Sequence, residues 1–472
     1  CGSGGFLIKA YHRLLELKGK KEPDEETHQE ILNQLWGVDI SQFPAHLSVI
    51  NLALRNLEAR SDFINVIPSD FFKVLPKQKT LRPIETAAIG EKKGTYELLP
   101  QFDAVVCNPP YTRQDDIGDE KYREYIRNIA LAFDGELDIS SEAGIYAYFF
   151  THSAHFLKQG GMFGYIVSNS WMDVRFGIEI QRFFLDNFKV TCIIEFDRRA
   201  FAEAAINTVV IIAKKLSRKQ GEDERNENYV KFVRVKSPLA TEEIIRRIED
   251  ANKSYENDEI RVMLKRQVEL YEDTKWLKCL RAPPIYFKIL QNKKVCSLAK
   301  IADVSVGIIT YANDFFILSK EQLEKRGVEK RYLRPILTSP KDVSFLDVDE
   351  RDAKQYVFCV NEPKSKLKGT NALEYIKWGE SAPVEITRGA DKGKVVRGYQ
   401  NIPSLRNRSR YTWYYIGERE PSPIIVPRLI WERIFAAHNA ARSLTTHAFY
   451  GVTPKKKIHI FPILGFLNSS VF

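Results

Sequence analysis

The sequence lacks the features of a secreted, membrane-spanning or metal-stapled chain. It has 6 cysteines in 472 residues (Cys1, Cys107, Cys192, Cys279, Cys296 and Cys359), and no two of them form a Cys-x-x-Cys pair. A chain this long needs no covalent staples, so the expectation is reduced thiols, an intracellular compartment and no structural zinc. No apolar run approaches the roughly 20 residues that span a bilayer. The run from Ile206 to Ala213 is short and interrupted by Asn207 and Thr208, so no membrane partner is expected. Internal repeats and low-complexity tracts are also missing. So is an initiating Met: the chain opens Cys1-Gly2-Ser3-Gly4-Gly5-Phe6, a turn of the kind that follows a strand. The chain therefore reads as truncated at its N-terminus.

Acidic residues are outnumbered, 61 against 71 Lys and Arg, giving a formal net charge of +10. A basic balance favours a polyanionic partner, because Lys and Arg neutralise phosphates and release their counterions. The length exceeds what one hydrophobic core supports and predicts two or three domains.

Apolar spacing predicts a helix from Gly5 to Leu17, a strand over Leu35–Val38, a helix over Phe43–Leu57 and a strand over Phe63–Ile67. A strand over Phe102–Cys107 runs into Asn108-Pro109-Pro110-Tyr111, where two prolines forbid its continuation. Residues 112–140 are polar without clear period and read as a long loop. A helix over Ile145–Leu157, capped by Gly160-Gly161, then strands and a helix to Ala213 complete the series. Strands alternating with helices predict an α/β sheet of the Rossmann-like kind, with ligands at the carboxyl ends of its strands. Asp39, Asp70 and Asn108 all fall at such ends.

The charged stretch Ser217–Asn228 reads as a boundary. The expected domains are 1–216, then a connector over 217–295, then a mixed, strand-rich domain over 296–472. This last domain mixes aromatic and basic residues, among them Arg406, Arg408, Arg410, Trp413 and Trp431.

Asn108-Pro109-Pro110-Tyr111 is the motif that carries chemistry. An exocyclic amine such as adenine N6 is a poor nucleophile, because its lone pair is delocalised into the ring. Two acceptors gripping its hydrogens restore lone-pair character as positive charge develops. The Asn108 side-chain oxygen is one such acceptor and the Pro109 carbonyl the other, and the prolines stiffen its aim. Tyr111 offers a ring face for stacking. An atom inside a duplex is out of reach, so the base must be flipped out, and aromatic stacking contributes roughly 1–3 kcal/mol to holding it. No metal is required. His152 and His155 lack a third ligand and read as a packing pair, and Asp115, Asp116 and Asp119 lack coordination spacing.

On these residues the chain resembles the N6-adenine DNA methyltransferases of restriction–modification systems, with cofactor motifs first and the target recognition domain last. The resemblance implies S-adenosylmethionine as cofactor, double-stranded DNA as partner, a specificity or restriction subunit as a further partner, and the cytoplasm of a prokaryotic cell. Cys1, Gly2 and Gly4 look like the family's cofactor loop. Asp39 would then accept from the ribose hydroxyls, Asp70 from the cofactor's adenine amine, and Phe71 would cover that ring. Phe149 sits where the family has another aromatic near the cofactor. Phe201 would stack on the flipped base opposite Tyr111, and Arg406, Arg408 and Arg410 would contact DNA. Val306-Gly307-Ile308-Ile309-Thr310-Tyr311 resembles the start of the recognition domain. The family's glycine after the threonine is Tyr311 here, which puts a tight turn there in doubt.

Two other readings stand beside this one. A glutamine-N5 protein methyltransferase, or an RNA adenine methyltransferase, shares the Asn-Pro-Pro-Tyr chemistry. The first normally ends soon after the last sheet strand, whereas here the chain continues far beyond Ala213. A catalytically inactive DNA-binding fragment is the reading from a different class.

Overall fold

The structure, a computed structural model, describes residues 1–59, 64–76, 79–81, 96–111, 119–133, 137, 139–140, 143–197, 207–387, 393–406, 413–429, 435–456 and 459–469. The chain divides into two compact units, Cys1–Pro284 and Ile285–Phe472.

In the first unit, helices α1 (Gly5–Leu17), α2 (Glu25–Gln34) and α3 (Gln42–Ala53) enclose strands β1 (Trp36–Asp39) and β2 (Asn65–Pro68). These strands pair in parallel, with Asp39 opposite Pro68. Leu7, Tyr11 and Leu15 face inward from α1 at helical spacing and meet Ile31, Val49, Leu52 and Val66 in one apolar cluster. A short antiparallel pair, β3 (Lys79–Leu81) and β4 (Tyr96–Leu98), follows.

The large sheet begins with β5 (Phe102–Cys107), and helices α4 (Glu120–Phe133) and α5 (Tyr146–Phe156) come next. After them run β6 (Leu157–Ser168), α6 (Gly177–Asn187), β7 (Phe188–Phe196) and β8 (Thr208–Lys215). Then come α7 (Glu222–Glu227), β9 (Tyr229–Val235), α8 (Thr241–Glu249), β10 (Tyr255–Glu256), β11 (Ile260–Arg266) and α9 (Leu277–Arg281). The spatial order is β10-β11-β9-β7-β8-β6-β5, which leaves β5 at an edge. β5 runs parallel to β6, β8 is antiparallel to both β6 and β7, and β7 is parallel to β9. Buried aromatics dominate the core, with Phe163 stacked on Tyr165 at 4.3 Å and Trp171 edge-on to Trp276 at 5.6 Å.

Three sequence expectations change here. The segment read as a loop over 112–140 contains α4. Its inward face, Tyr122, Ile126, Ile129 and Ala130, has helical spacing that its charged neighbours hide. Gly160 and Gly161 do not cap α5, which ends at Phe156; they lie inside β6, where Gly160 takes φ 80. The segment 217–295 does not act as a connector up to Pro284, because β9, β10 and β11 extend the large sheet. Its charged start folds back because Arg225, 6% exposed, donates to the carbonyls of Ser217 and Arg218.

The second unit is strand-rich, as expected. One four-stranded sheet joins β12 (Ala302–Val306), β18 (Ile424–Pro427), β19 (Ala437–His438) and β21 (Phe449–Pro454). A second joins β13 (Ile317–Ser319), β14 (Leu333–Leu337), β15 (Gln355–Phe358) and β20 (Leu444–Thr445), and β16 (Pro383–Glu385) pairs with β17 (Val395–Arg397). Trp413 and Tyr414 are buried in this unit's core with Phe315 and Tyr375, so these aromatics pack rather than form a surface.

Candidate active site

At the edge of the large sheet, β5 stops where Pro109 and Pro110 remove two backbone donors. Pro109 is buried, while Asn108 and Pro110 are exposed. The Tyr111 hydroxyl donates to Asn108 Oδ1 at 3.0 Å and to the Ile166 carbonyl at 3.2 Å. Burial, reinforced by Cys107 and Tyr146, pushes the Tyr111 hydroxyl up to about 12, so it remains a donor at neutral pH. Tyr111 thus ties Asn108 to the neighbouring strand and fixes the direction of its amide. The preceding Cys107 thiol is pushed up to about 11 by burial and is no nucleophile.

Asp39 stands at the end of β1, and its carboxylate holds the glycine turn. Oδ2 accepts from the Gly2 amide at 2.7 Å and from the Cys1 amino group at 3.0 Å, and Oδ1 accepts from the Ser41 amide at 3.0 Å. Burial pushes this carboxyl up, and the amides of Ser41 and Gly2 act against it, holding it below the ordinary range. A carboxylate has about four acceptor positions, and two of those of Asp39 serve the turn. Gly4, at φ 87, lies against α3, where an added Cβ would meet Ser48 Oγ at 3.1 Å. Ser48 Oγ donates to the Gly2 carbonyl and Asn51 Nδ2 to the Ser3 carbonyl. Sequence reading missed both residues, although polar side chains three apart on a mainly apolar helix were the available signal.

Asp70 caps a short 3-10 turn, Phe71–Lys73, accepting from the Phe72 amide at 3.0 Å. Its other oxygen accepts from the Tyr122 hydroxyl of α4 at 2.7 Å. Phe71 stacks with Phe149 at 5.2 Å and with Phe156 at 5.5 Å. Much of its ring is therefore engaged within the chain, which leaves less of it to cover a ligand than the sequence implied. His152, missed as a site residue, directs Nε2 at the carbonyls of Phe71 (2.8 Å) and Val74 (2.9 Å). Both partners only accept, so Nε2 carries the proton, and the imidazole anchors the turn that bears Phe71.

One apolar cluster joins these elements: Trp36 and Val38 from β1, Ile67 from β2, Phe71, and Phe102 and Val105 from β5. The strands that carry Asp39, Asp70 and Asn108 are thus packed together, with their carboxyl ends bearing the polar residues. Arg406 is exposed at the end of a short helix, Pro403–Arg406, in the second unit. Phe201, Arg408 and Arg410 lie outside the described residues. Among the described residues, no group of three or more His, Cys, Asp or Glu side chains is placed to hold a metal. No described helix is long and apolar enough to cross a membrane.

Residues 33–201 match the Eco57I restriction-modification methylase family, and residues 274–471 match the C-terminal domain of type II methyltransferase M.Eco57I. The chain is 23% identical over 335 residues to type II methyltransferase M.AccI of Acinetobacter calcoaceticus, covering 69% of this chain and 54% of that protein. It is 25% identical over 290 residues to M.BanIII of Aneurinibacillus aneurinilyticus, covering 59% and 48%. The chain thus spans about half the length of these curated relatives. Among solved structures, it is similar to the type IIL restriction-modification enzyme MmeI in complex with DNA. There the TM-score is 0.52 at 15% identity, over 98% of this chain and 57% of MmeI. That likeness shows the fold: the α/β unit is a class I methyltransferase sheet.

Proposed function

The chain belongs to the restriction–modification methylases, and on that premise we propose that it is the catalytic and DNA-reading part of a DNA methyltransferase acting on the exocyclic N6 of adenine. The observation that carries this reading is the exposed Asn108 at the end of β5, its amide oxygen held by the Tyr111 hydroxyl at 3.0 Å.

The residues present fit S-adenosylmethionine. A glycine turn at positive φ leaves open space beside Gly2, and carboxylates stand at two adjacent parallel strand ends. Gly2 and Gly4 would admit the methionine part, Asp39 would accept from a ribose hydroxyl, and Asp70 would accept from the adenine amine. When bound, the cofactor supplies an electrophilic methyl group. Asn108 Oδ1 and the Pro109 carbonyl accept the two hydrogens of the target amine and orient its lone pair for in-line attack. The ring of Tyr111 packs on the flipped base while its hydroxyl keeps Asn108 aligned. Phe201 would close the opposite face of the base. Arg406, Arg408 and Arg410 would bind double-stranded DNA, and a separate specificity or restriction subunit remains a proposed partner.

The match of residues 274–471 to the C-terminal domain of a type II methyltransferase, beside the restriction-modification methylase match of residues 33–201, supports DNA over a glutamine side chain as acceptor. The test is methyl transfer from labelled S-adenosylmethionine by the full-length protein, offered duplex DNA, RNA or a glutamine-containing protein. Label in N6-methyladenine of the DNA is expected. Label in RNA or protein alone would overturn the reading, and so would label on cytosine.

A further inference from the structure

In the second unit, two cavities of about 200 and 420 Å³ share the segment Ser305–Ile308 and Arg419 as walls. Among the described residues only Tyr311 (φ 59) and Arg442 (φ 51) hold positive φ without being glycine. Tyr311 lines the larger cavity, and Arg442 immediately precedes Ser443, which lines the smaller. A side chain in the left-handed region persists only where its surroundings impose it, and such strain gathers at functional sites. The tight turn put in doubt by Tyr311 is therefore present, with tyrosine in a conformation that suits glycine. The turn is also rigid. A Cβ on Gly307 would lie 2.2 Å from the Thr446 carbonyl oxygen, and Thr310 is buried with its hydroxyl on Asn313. It presents the Tyr311 side chain 58% exposed.

The opposite wall is the segment Glu418-Arg419-Glu420, launched by Gly417 at φ 82 and followed by Pro421. All three charged side chains are exposed, and among the described residues none is engaged in an ion pair or side-chain hydrogen bond. One guanidinium between two carboxylates makes this segment net negative, so it would repel a bare phosphate. A guanine edge offers two acceptors to a guanidinium, and its paired cytosine offers an amino donor to a carboxylate. The charge pattern matches that pair.

Resting on the DNA reading above, we propose that this cavity reads one G·C base pair of the bound DNA. Arg419 grips guanine O6 and N7, a flanking carboxylate of Glu418 or Glu420 accepts from the cytosine amine, and Tyr311 packs against the adjoining sugar or base. The experiment is single-molecule methylation sequencing of DNA from hosts expressing the full-length gene, wild type against Arg419→Ala and Arg419→Lys, with thermal melting as the control for folding. One G·C position of the wild-type motif should become degenerate in Arg419→Ala, with roughly tenfold or greater loss of discrimination there and the other positions retained. Arg419→Lys, which keeps the charge but not the two-pronged geometry, should relax the same position and decides the matter if the alanine variant fails to fold. A motif unchanged in both folded variants, whether or not methylation falls uniformly, would overturn the inference alone, as would a wild-type motif with no G·C position. A wild-type protein that leaves no N6-methyladenine would instead overturn the reading on which it rests.

Discussion

Replacing Asn108 by Ala should lower turnover by about 10²–10³-fold while leaving DNA affinity within a factor of a few. The residue is exposed at the end of an edge strand, so its loss leaves no cavity in the core. Its proposed work is confined to the moment when positive charge develops on the attacking amine, and an interaction made only then appears in kcat rather than in binding. The neighbouring grip explains why the effect is large but finite: the Pro109 carbonyl still accepts one amine hydrogen in the variant. Single-turnover methyl transfer measured beside DNA-binding titrations separates the two effects. A variant with unchanged turnover, or one whose loss lies wholly in DNA affinity, would remove Asn108 from the chemistry.

The second large effect concerns acid. His152 is fully buried, its Nε2–H serves two carbonyls, and Nδ1 has no partner among the described residues. Burial, aided by His155 and outweighing both carbonyls and Asp70, pulls its folded pKa down to about 4. The unfolded chain therefore takes up this proton at a higher pH than the folded one. The stability contributed by the neutral imidazole is complete above about pH 6.5 and is lost as pH falls from there towards 4, amounting to on the order of 3 kcal/mol. His28 and His155 are shifted in the same direction by burial and add to the same slope. His152→Gln keeps an N–H donor for the turn at Phe71 but cannot titrate. Its melting temperature should fall less than that of the wild type between pH 7 and pH 5. Equal falls would show that His152 does not govern the acid response.

The parts of the fold that the sequence revealed are those where one physical signal dominates. The strand at Phe102–Cys107 was plain because two prolines end it, and α1 because Leu7, Tyr11 and Leu15 repeat at helical spacing. Helix α4 was hidden because Tyr122 of its inner side and the exposed Tyr125 read as polar in a charged stretch. In the structure their hydroxyls reach Asp70 and the Phe72 carbonyl. The continuation of the sheet through β9 and β11 was obscured by the charges of Ser217–Asn228, and burial of Arg225 over two carbonyls is a tertiary event that no local pattern announces.

The candidate site divides the same way. Asn108, Asp39 and Asp70 were legible because each ends a strand. Ser48, Tyr122 and His152 were not, because each acts through a partner at least 46 residues away, as the 2.8 Å bond from Ser48 to Gly2 illustrates. Asp39 was legible as a polar strand end, but not as the residue whose carboxylate holds the glycine turn.

The most direct test of the central claim is a structure of the full-length protein with duplex DNA and an unreactive analogue of the methyl donor. An adenine turned out of the helix is expected, with N6 within roughly 2.7–3.2 Å of both Asn108 Oδ1 and the Pro109 carbonyl oxygen. A target base still stacked in the duplex, or an extruded base whose amine meets neither oxygen, would contradict it.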